Sequence, residues 1–121
     1  MALIDANAII RIILNDNEDM RDRAKDFIKS NPVLIRNEVM AEIVYVLTKV
    51  YKVSRVAVCQ CIFSILRTKN ISVESHEIME CAVDTFEESS LDFVDCLLYA
   101  YNFINNDNVF TFDKKLNKKI K

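Results

Sequence analysis

The sequence predicts an α/β fold of three layers, α/β/α, around a central, mostly parallel sheet of four to five strands. Three observations lead there. Short apolar runs recur at Leu3-Ile4, Val33–Ile35, Ile71–Val73 and Val109–Thr111. Between them lie longer segments whose apolar residues fall at helical spacing. Brief apolar strands alternating with helices belong to parallel sheets covered on both faces. The third observation is size: 121 residues, 51% of them hydrophobic, suffice for one core, so a single domain over residues 1–121 is expected.

The elements follow in order. After the strand at Leu3-Ile4, Asn7 starts a helix with Ile9, Ile10, Ile13 and Leu14 in register, and Asn15-Asp16-Asn17 breaks it. A second helix runs from about Glu18 to Lys29, with Ala24, Phe27 and Ile28 on one face, and Asn31-Pro32 stops it. Beyond Val33–Ile35, Asn37 caps a helix reaching about Tyr51, with apolar Val39, Met40, Ile43, Val46, Leu47 and Val50. Ser54 caps the next, to about Arg67. After Ile71–Val73, Ser75 starts a helix through Ile78, Met79, Ala82, Val83 and Phe86, and another covers about Leu91 to Phe103. Val109–Thr111 is the last strand, and a short helix begins at Lys114.

Composition excludes several chemistries. The chain has no glycine, hence no Gly-rich phosphate loop and no glycine-dependent nucleophile elbow. Its tight turns must use Asn and Asp, and Asn105–Asn108 fits that role. Cys59, Cys61, Cys81 and Cys96 form no C-x-x-C pair, and His76 is the one histidine. They read as four buried thiols in a reducing compartment and a surface histidine, without a zinc site. No apolar run reaches the roughly 18 residues of a membrane span. The N-terminus lacks the basic region and cleavage site of a secretory leader. A soluble, cytoplasmic protein with no membrane partner is expected. Lys114, Lys115, Lys118, Lys119 and Lys121 crowd the C-terminus, where a charge run is ordinarily solvated and frayed.

The informative residues are acids in apolar places. Asp5 directly follows the first strand and Asp113 the last, so a parallel sheet would carry both to its carboxyl rim, where sites form. Glu42 falls among Val39, Ile43 and Val46 and is expected not to point freely into water; a buried carboxylate is normally paired or metal-bound. Asp92 and Asp95 share a helical face at i, i+3, near a helix start that favours negative charge. Asp92 alone also reads as a helix cap, whereas Asp95 borders the buried run Cys96-Leu97-Leu98. Glu38 is explained as a first-turn acid. Clustered, Asp5, Glu42, Asp95 and Asp113 would repel one another unless cations neutralised them. All-oxygen ligation suits Mg²⁺ or Mn²⁺, ions that serve phosphate chemistry.

Four stretches, in order along nearly the whole chain, resemble the PIN-domain ribonucleases, and within them the VapC-type toxins of toxin–antitoxin pairs. "LIDANAIIRIILND" resembles the family's opening strand, with its first acid and the Asn two residues later. "EVMAEIVYVLTKVY" resembles the acid-bearing helix, "LDFVDCLLYAYN" the third motif, and "VFTFDKKL" the closing T-F-D. Two features depart from the pattern. Asn105–Asn108 stand where a glycine is usual, and Cys96 and Tyr99 where small residues are usual. The resemblance implies one PIN-like domain that hydrolyses RNA phosphodiesters by metal-activated water. Asp5, Glu42, Asp95 and Asp113 would be catalytic and hold Mg²⁺ or Mn²⁺, with Asp92 as a fifth metal contributor. Asn7 would orient Asp5, and Thr111 would hold Asp113 or a water. The implied partners are RNA, a cognate antitoxin and a second copy of the chain.

Charge agrees with an anionic substrate: 18 acidic residues less these five leave 13 against 16 basic ones. Arg11 and the C-terminal lysines would approach the phosphates. Tyr45, Tyr51 and Tyr99 are candidates for base contacts, weighed against core or interface roles. The helices at 37–51 and 54–67 carry more apolar residues than one buried stripe needs, among them Ile62, Phe63, Ile65 and Leu66. They are candidates for partner surfaces. Two other readings stand beside the nuclease. One is a catalytically silent PIN domain that binds RNA or protein. The other is a phosphatase with an aspartyl nucleophile, which the Ala-Asn that follows Asp5 disfavours.

Overall fold

The whole sheet lies within the first 74 residues. A computed structural model describes residues 1–121, and the chain forms two units, Met1–Glu74 and Ser75–Lys121. The N-terminal unit runs β1 (Ala2–Leu3), α1 (Ala6–Leu14), α2 (Glu18–Ser30), β2 (Val33–Ile35), α3 (Asn37–Lys49), α4 (Arg55–Leu66) and β3 (Ile71–Val73). All three strands are parallel, with β2 in the middle. Ala2 pairs with Val33, and Val33 with Ile71. The central position seals Val33 and Ile35 from water. β1 is an edge, and its Leu3 is 62% exposed, contrary to the buried strand expected there. Ile4, just beyond it, is buried.

The sheet has three strands, not the four to five expected. Val109–Thr111 joins no ladder. A three-residue apolar run becomes a strand only when a neighbouring edge takes up its backbone N–H and C=O groups, and this run lies outside the sheet.

Local chemistry sets most helix starts. Asn17 accepts from the Met20 N–H at 3.0 Å and Ser54 from the Ala57 N–H at 3.2 Å. Two starts differ from expectation. α1 begins at Ala6, one residue before Asn7, and Asp5 caps it: its backbone is extended and its carboxylate accepts from the Ala8 N–H at 2.9 Å. Asn37 lies inside α3 and does not cap it. Its own N–H donates to Glu74 Oε2 at 2.5 Å, so the residue after β3 caps α3 from the end of the neighbouring strand. The unit's core includes Ile9, Ile28, Met40, Ile43, Leu47, Val58, Ile62 and Ile65. Ile62 and Ile65 are thus core residues, and the surplus of apolar residues on α4 is partly core packing.

Residues 75–121 form α5 (His76–Glu88), α6 (Phe93–Asn105) and α7 (Lys114–Lys119). Ser75 caps α5 through the Ile78 N–H at 3.2 Å. α5 and α6 pack together, burying Met79, Ala82, Val83, Cys96 and Ala100, with Phe86 edge-on to Phe93 at 5.8 Å. α7 anchors through fully buried Leu116. Asn102 is buried and bonded at both ends of its amide. Its amide donates to the Asp107 carbonyl, and its Oδ1 accepts the Lys121 N–H, each at 3.0 Å.

The glycine-free turns use left-handed Asn15, Lys52, Asn70 and Asn106. Three of these four are Asn, the residue type that best tolerates positive φ after glycine. All four cysteines are free. Cys59 and Cys96 are buried, but Cys61 and Cys81 are only half-buried, contrary to expectation, because they lie at the margins of their helices' buried stripes. His76 is exposed and 2.6 Å from Glu80. No helix is long and apolar enough to cross a membrane.

Candidate functional site

The predicted acids form two groups, one in each unit. In the N-terminal unit, Asp5 and Glu42 line a cavity of about 290 Å³ together with Asn7, Arg11, Val46 and Tyr51. β1 ends where α1 must begin, so Asp5 sits at the helix N-terminus with one oxygen on the Ala8 N–H. Glu42 is exposed, which corrects the expectation that it is withheld from water. The buried stripe of α3 is Met40, Ile43, Val44 and Leu47. At 100° per residue, Glu42 falls off that stripe.

Asn7 is exposed and makes no hydrogen bond to Asp5; the orienting partner is the Ala8 backbone. Arg11 does not reach out for phosphate. Its Nη1 holds Asp16 at 2.8 and 3.0 Å, and its Nη2 donates to the Tyr51 hydroxyl at 3.0 Å. The side chain is 15% exposed, and the Tyr51 hydroxyl, then Asp16, hold the guanidinium protonated beyond its ordinary range against burial. Tyr51 thereby joins the cavity wall. Tyr45 is exposed, and Tyr99 stacks on Phe103 at 5.7 Å.

In the C-terminal unit, Asp92, Asp95 and Asp113 line a cavity of about 380 Å³ with Ser90, Leu91, Lys114 and Lys115. Asp113 caps α7, its Oδ1 accepting the Leu116 N–H at 2.8 Å. Thr111 Oγ1 accepts the Asp113 N–H at 3.0 Å, and the Asn117 amide donates to the Thr111 carbonyl at 3.1 Å. Thr111 therefore holds Asp113 by its backbone. Asp92 occupies the cap position of α6, as the alternative reading of this acid had it, but its side chain makes no cap hydrogen bond. Asp95, one turn on, is half-buried. Burial, then the carboxylates of Asp113 and Asp92, push its carboxyl above the ordinary range.

Lys114 and Lys115 also face this cavity, a role not separable from the rest of the lysine tail in sequence; their place directly after Asp113 was the available clue. Lys115 donates to Ser90 Oγ at 2.9 Å.

Three carboxylates line one cavity, two of them without a hydrogen-bond donor. Mg²⁺ uses only one or two carboxylates and completes its shell with water and phosphate. No group of three or more Asp, Glu, His or Cys side chains stands close enough together to hold a metal ion.

The family model for the PIN domain matches residues 2–121. No curated protein matches the chain, and no solved structure does. PIN domains are generally nuclease modules and usually use divalent metal ions.

Proposed function

The chain belongs to the PIN-domain family, and on that premise we propose that it is a Mg²⁺- or Mn²⁺-dependent endoribonuclease, one PIN domain over residues 1–121, acting as the toxin of a toxin–antitoxin pair. The observation that carries this reading is the C-terminal cavity, where Asp95 meets Asp92 and Asp113 with its ionised form disfavoured. Such a group gains most from a bound cation. Asp5, Glu42, Asp92, Asp95 and Asp113 are the acids assigned to the metal. When bound, the metal would polarise the scissile phosphate and ionise the attacking water. The chain's own groups do the rest. Asp113 is held rigid by Thr111 and the α7 N-terminus. Lys114 and Lys115 beside it offer positive charge to phosphate oxygens.

The toxin role is supported by a groove of about 890 Å³ in the N-terminal unit, lined by Ile9, Ile13, Ile28, Ile65 and Ile71. Lys25, Lys29 and Lys69 rim it. An apolar floor with a basic rim suits an amphipathic antitoxin segment with acidic flanks. Exposed Tyr45, Val50 and Val56 support the homodimer.

The test is cleavage of a mixed RNA pool in Mg²⁺ or Mn²⁺, beside Asp95→Asn and an EDTA control. Cleavage that EDTA and the substitution both abolish is expected. Activity untouched by Asp95→Asn would remove the assignment. The acids' spacing, with no three of them close enough together to hold a metal ion, favours a second reading, a catalytically silent PIN domain that binds RNA or protein. A folded chain that binds RNA but cuts none in either metal would establish it.

A further inference from the structure

One hydroxyl on the acidic cavity of the N-terminal unit is held but not used. The Tyr51 oxygen accepts from Arg11 Nη2 at 3.0 Å, while the Tyr51 O–H has no acceptor in the chain. Tyr51 and Arg11 stand on the same cavity wall as Asp5 and Glu42, and every residue of that wall belongs to Met1–Glu74. The hold on this hydroxyl is costly. The Arg11 side chain is 15% exposed, and its Nε is the one buried side-chain polar atom of the chain without a partner. Asp16 takes Nη1 alone, with both its oxygens, where a carboxylate would ordinarily fork across two nitrogens. A buried donor left orphaned calls for a reason other than stability.

Charge and helix geometry supply that reason. Asp16 neutralises Arg11, so the guanidinium adds no free positive charge to the cavity. What it adds is polarisation: a cation donating to the phenolic oxygen strengthens the O–H as a donor in its turn. A lysine in this place would pair with Asp5 or Glu42 and be withdrawn. A neutral hydroxyl stays available to an anionic oxygen, the acceptor to which hydrogen bonds are strongest. Along α1, Arg11 lies beyond Asp5 by about 9 Å of helix rise. Along α3, Val46 and Val50 carry the wall from Glu42 to Tyr51. The acids thus stand at one end of the cavity and the hydroxyl at the other.

We propose that Tyr51 is a substrate-binding residue whose O–H, aimed by Arg11, holds the phosphate next to the one that is cut. This rests on the nuclease reading for the identity of the ligand. The hydroxyl lies too far along the helices to share the phosphate at the acids. Its contact is made equally before and during the chemical step, so it tightens binding and leaves that step alone. Arg11 is a positioning residue that acts only through Tyr51.

The test is RNA cleavage by the whole chain in Mn²⁺, with kcat and KM read separately. Tyr51→Phe keeps the ring and should raise KM about tenfold with kcat unchanged. Arg11→Met should raise KM less, and should add nothing in the Tyr51→Phe background. Sulfur accepts hydrogen bonds more weakly than oxygen, so single phosphorothioates are then placed along the cleaved RNA. At the phosphate beside the cut, sulfur should raise KM for the parent and leave it unchanged for Tyr51→Phe. A tyrosine with a merely structural role would give both chains the same sulfur pattern. An unchanged KM in Tyr51→Phe, a loss confined to kcat, or a shared sulfur pattern overturns the contact. If circular dichroism shows Tyr51→Phe unfolded, the parent's scan decides, and the lack of a sulfur-sensitive phosphate beside the cut overturns it. Anisotropy with the same RNA in EDTA reads binding apart from cleavage. A chain that cuts nothing but loses about tenfold in affinity with Tyr51→Phe upholds the contact and removes only the nuclease. Cutting with an unchanged KM removes only the contact, and a chain that cuts nothing and binds equally with Tyr or Phe removes both.

Discussion

Asp5 and Glu42 stand in water on the N-terminal unit, and the one cation beside them, Arg11, is committed to Asp16 and Tyr51. On the C-terminal unit, Asp95 is half-buried against Asp92 and Asp113 and resists ionisation. One acidic group is thus exposed to solvent, and in the other burial, then neighbouring charge, disfavours the ionised form of Asp95. The difference separates two things that a single activity assay confuses: what an acid does for the reaction and what it costs the fold.

The largest expected effects are on cleavage. Asp95→Asn should lower metal-dependent RNA cleavage by at least ~100-fold, and Asp5→Asn or Glu42→Gln should do likewise. If only the C-terminal substitution acts, the N-terminal acids are not part of the chemistry.

Stability should divide the groups. Asp5→Ala removes the α1 cap and should cost about 1 kcal/mol, read as a fall of about 4 °C in melting temperature. Asp5→Asn keeps a capping oxygen and should melt close to the parent. An equal loss in both would mean that the charge, not the cap, holds α1. Glu42→Gln, on an exposed helix face, should stay within about 0.5 kcal/mol of the parent.

The smallest effect is the sharpest in sign. The Asp95 carboxyl titrates above its ordinary range in the folded chain and within it when unfolded. Between those two values the folded state binds more protons, so stability falls as pH rises, and the loss is complete above the folded value. Asp95→Asn escapes it. Melting curves in EDTA should show the variant's advantage growing from acidic to neutral pH. An advantage that shrinks as pH rises would contradict the cost of burying the ionised Asp95 beside Asp113 and Asp92.

Much of this was legible in residue order because its physics is local. Asn17, Ser54 and Ser75 cap helices through N–H groups three residues away. Asn106 ends α6 in the left-handed region that a glycine-free chain must give to Asn. Asp5, Glu42, Asp95 and Asp113 stand out in residue order because they flank apolar runs, and Asp92 because it lies one turn before Asp95.

What only the tertiary structure decided depends on distant partners or on helix phase. A strand needs a neighbour to take its hydrogen bonds, and Val109–Thr111 has none in the sheet while Phe110 and Phe112 face water. Glu42 looked enclosed because its sequence neighbours are apolar, but the stripe through Met40, Ile43 and Leu47 turns it outward. Arg11 looked available, yet Tyr51, forty positions on, takes its guanidinium. Asn37 looked like a cap, yet Glu74 caps α3 from the end of β3. Sequence determined which groups could cap, turn or bind a cation. Folding decided which of them were already satisfied, because a hydrogen bond between residues far apart in the chain exists only once their elements are packed.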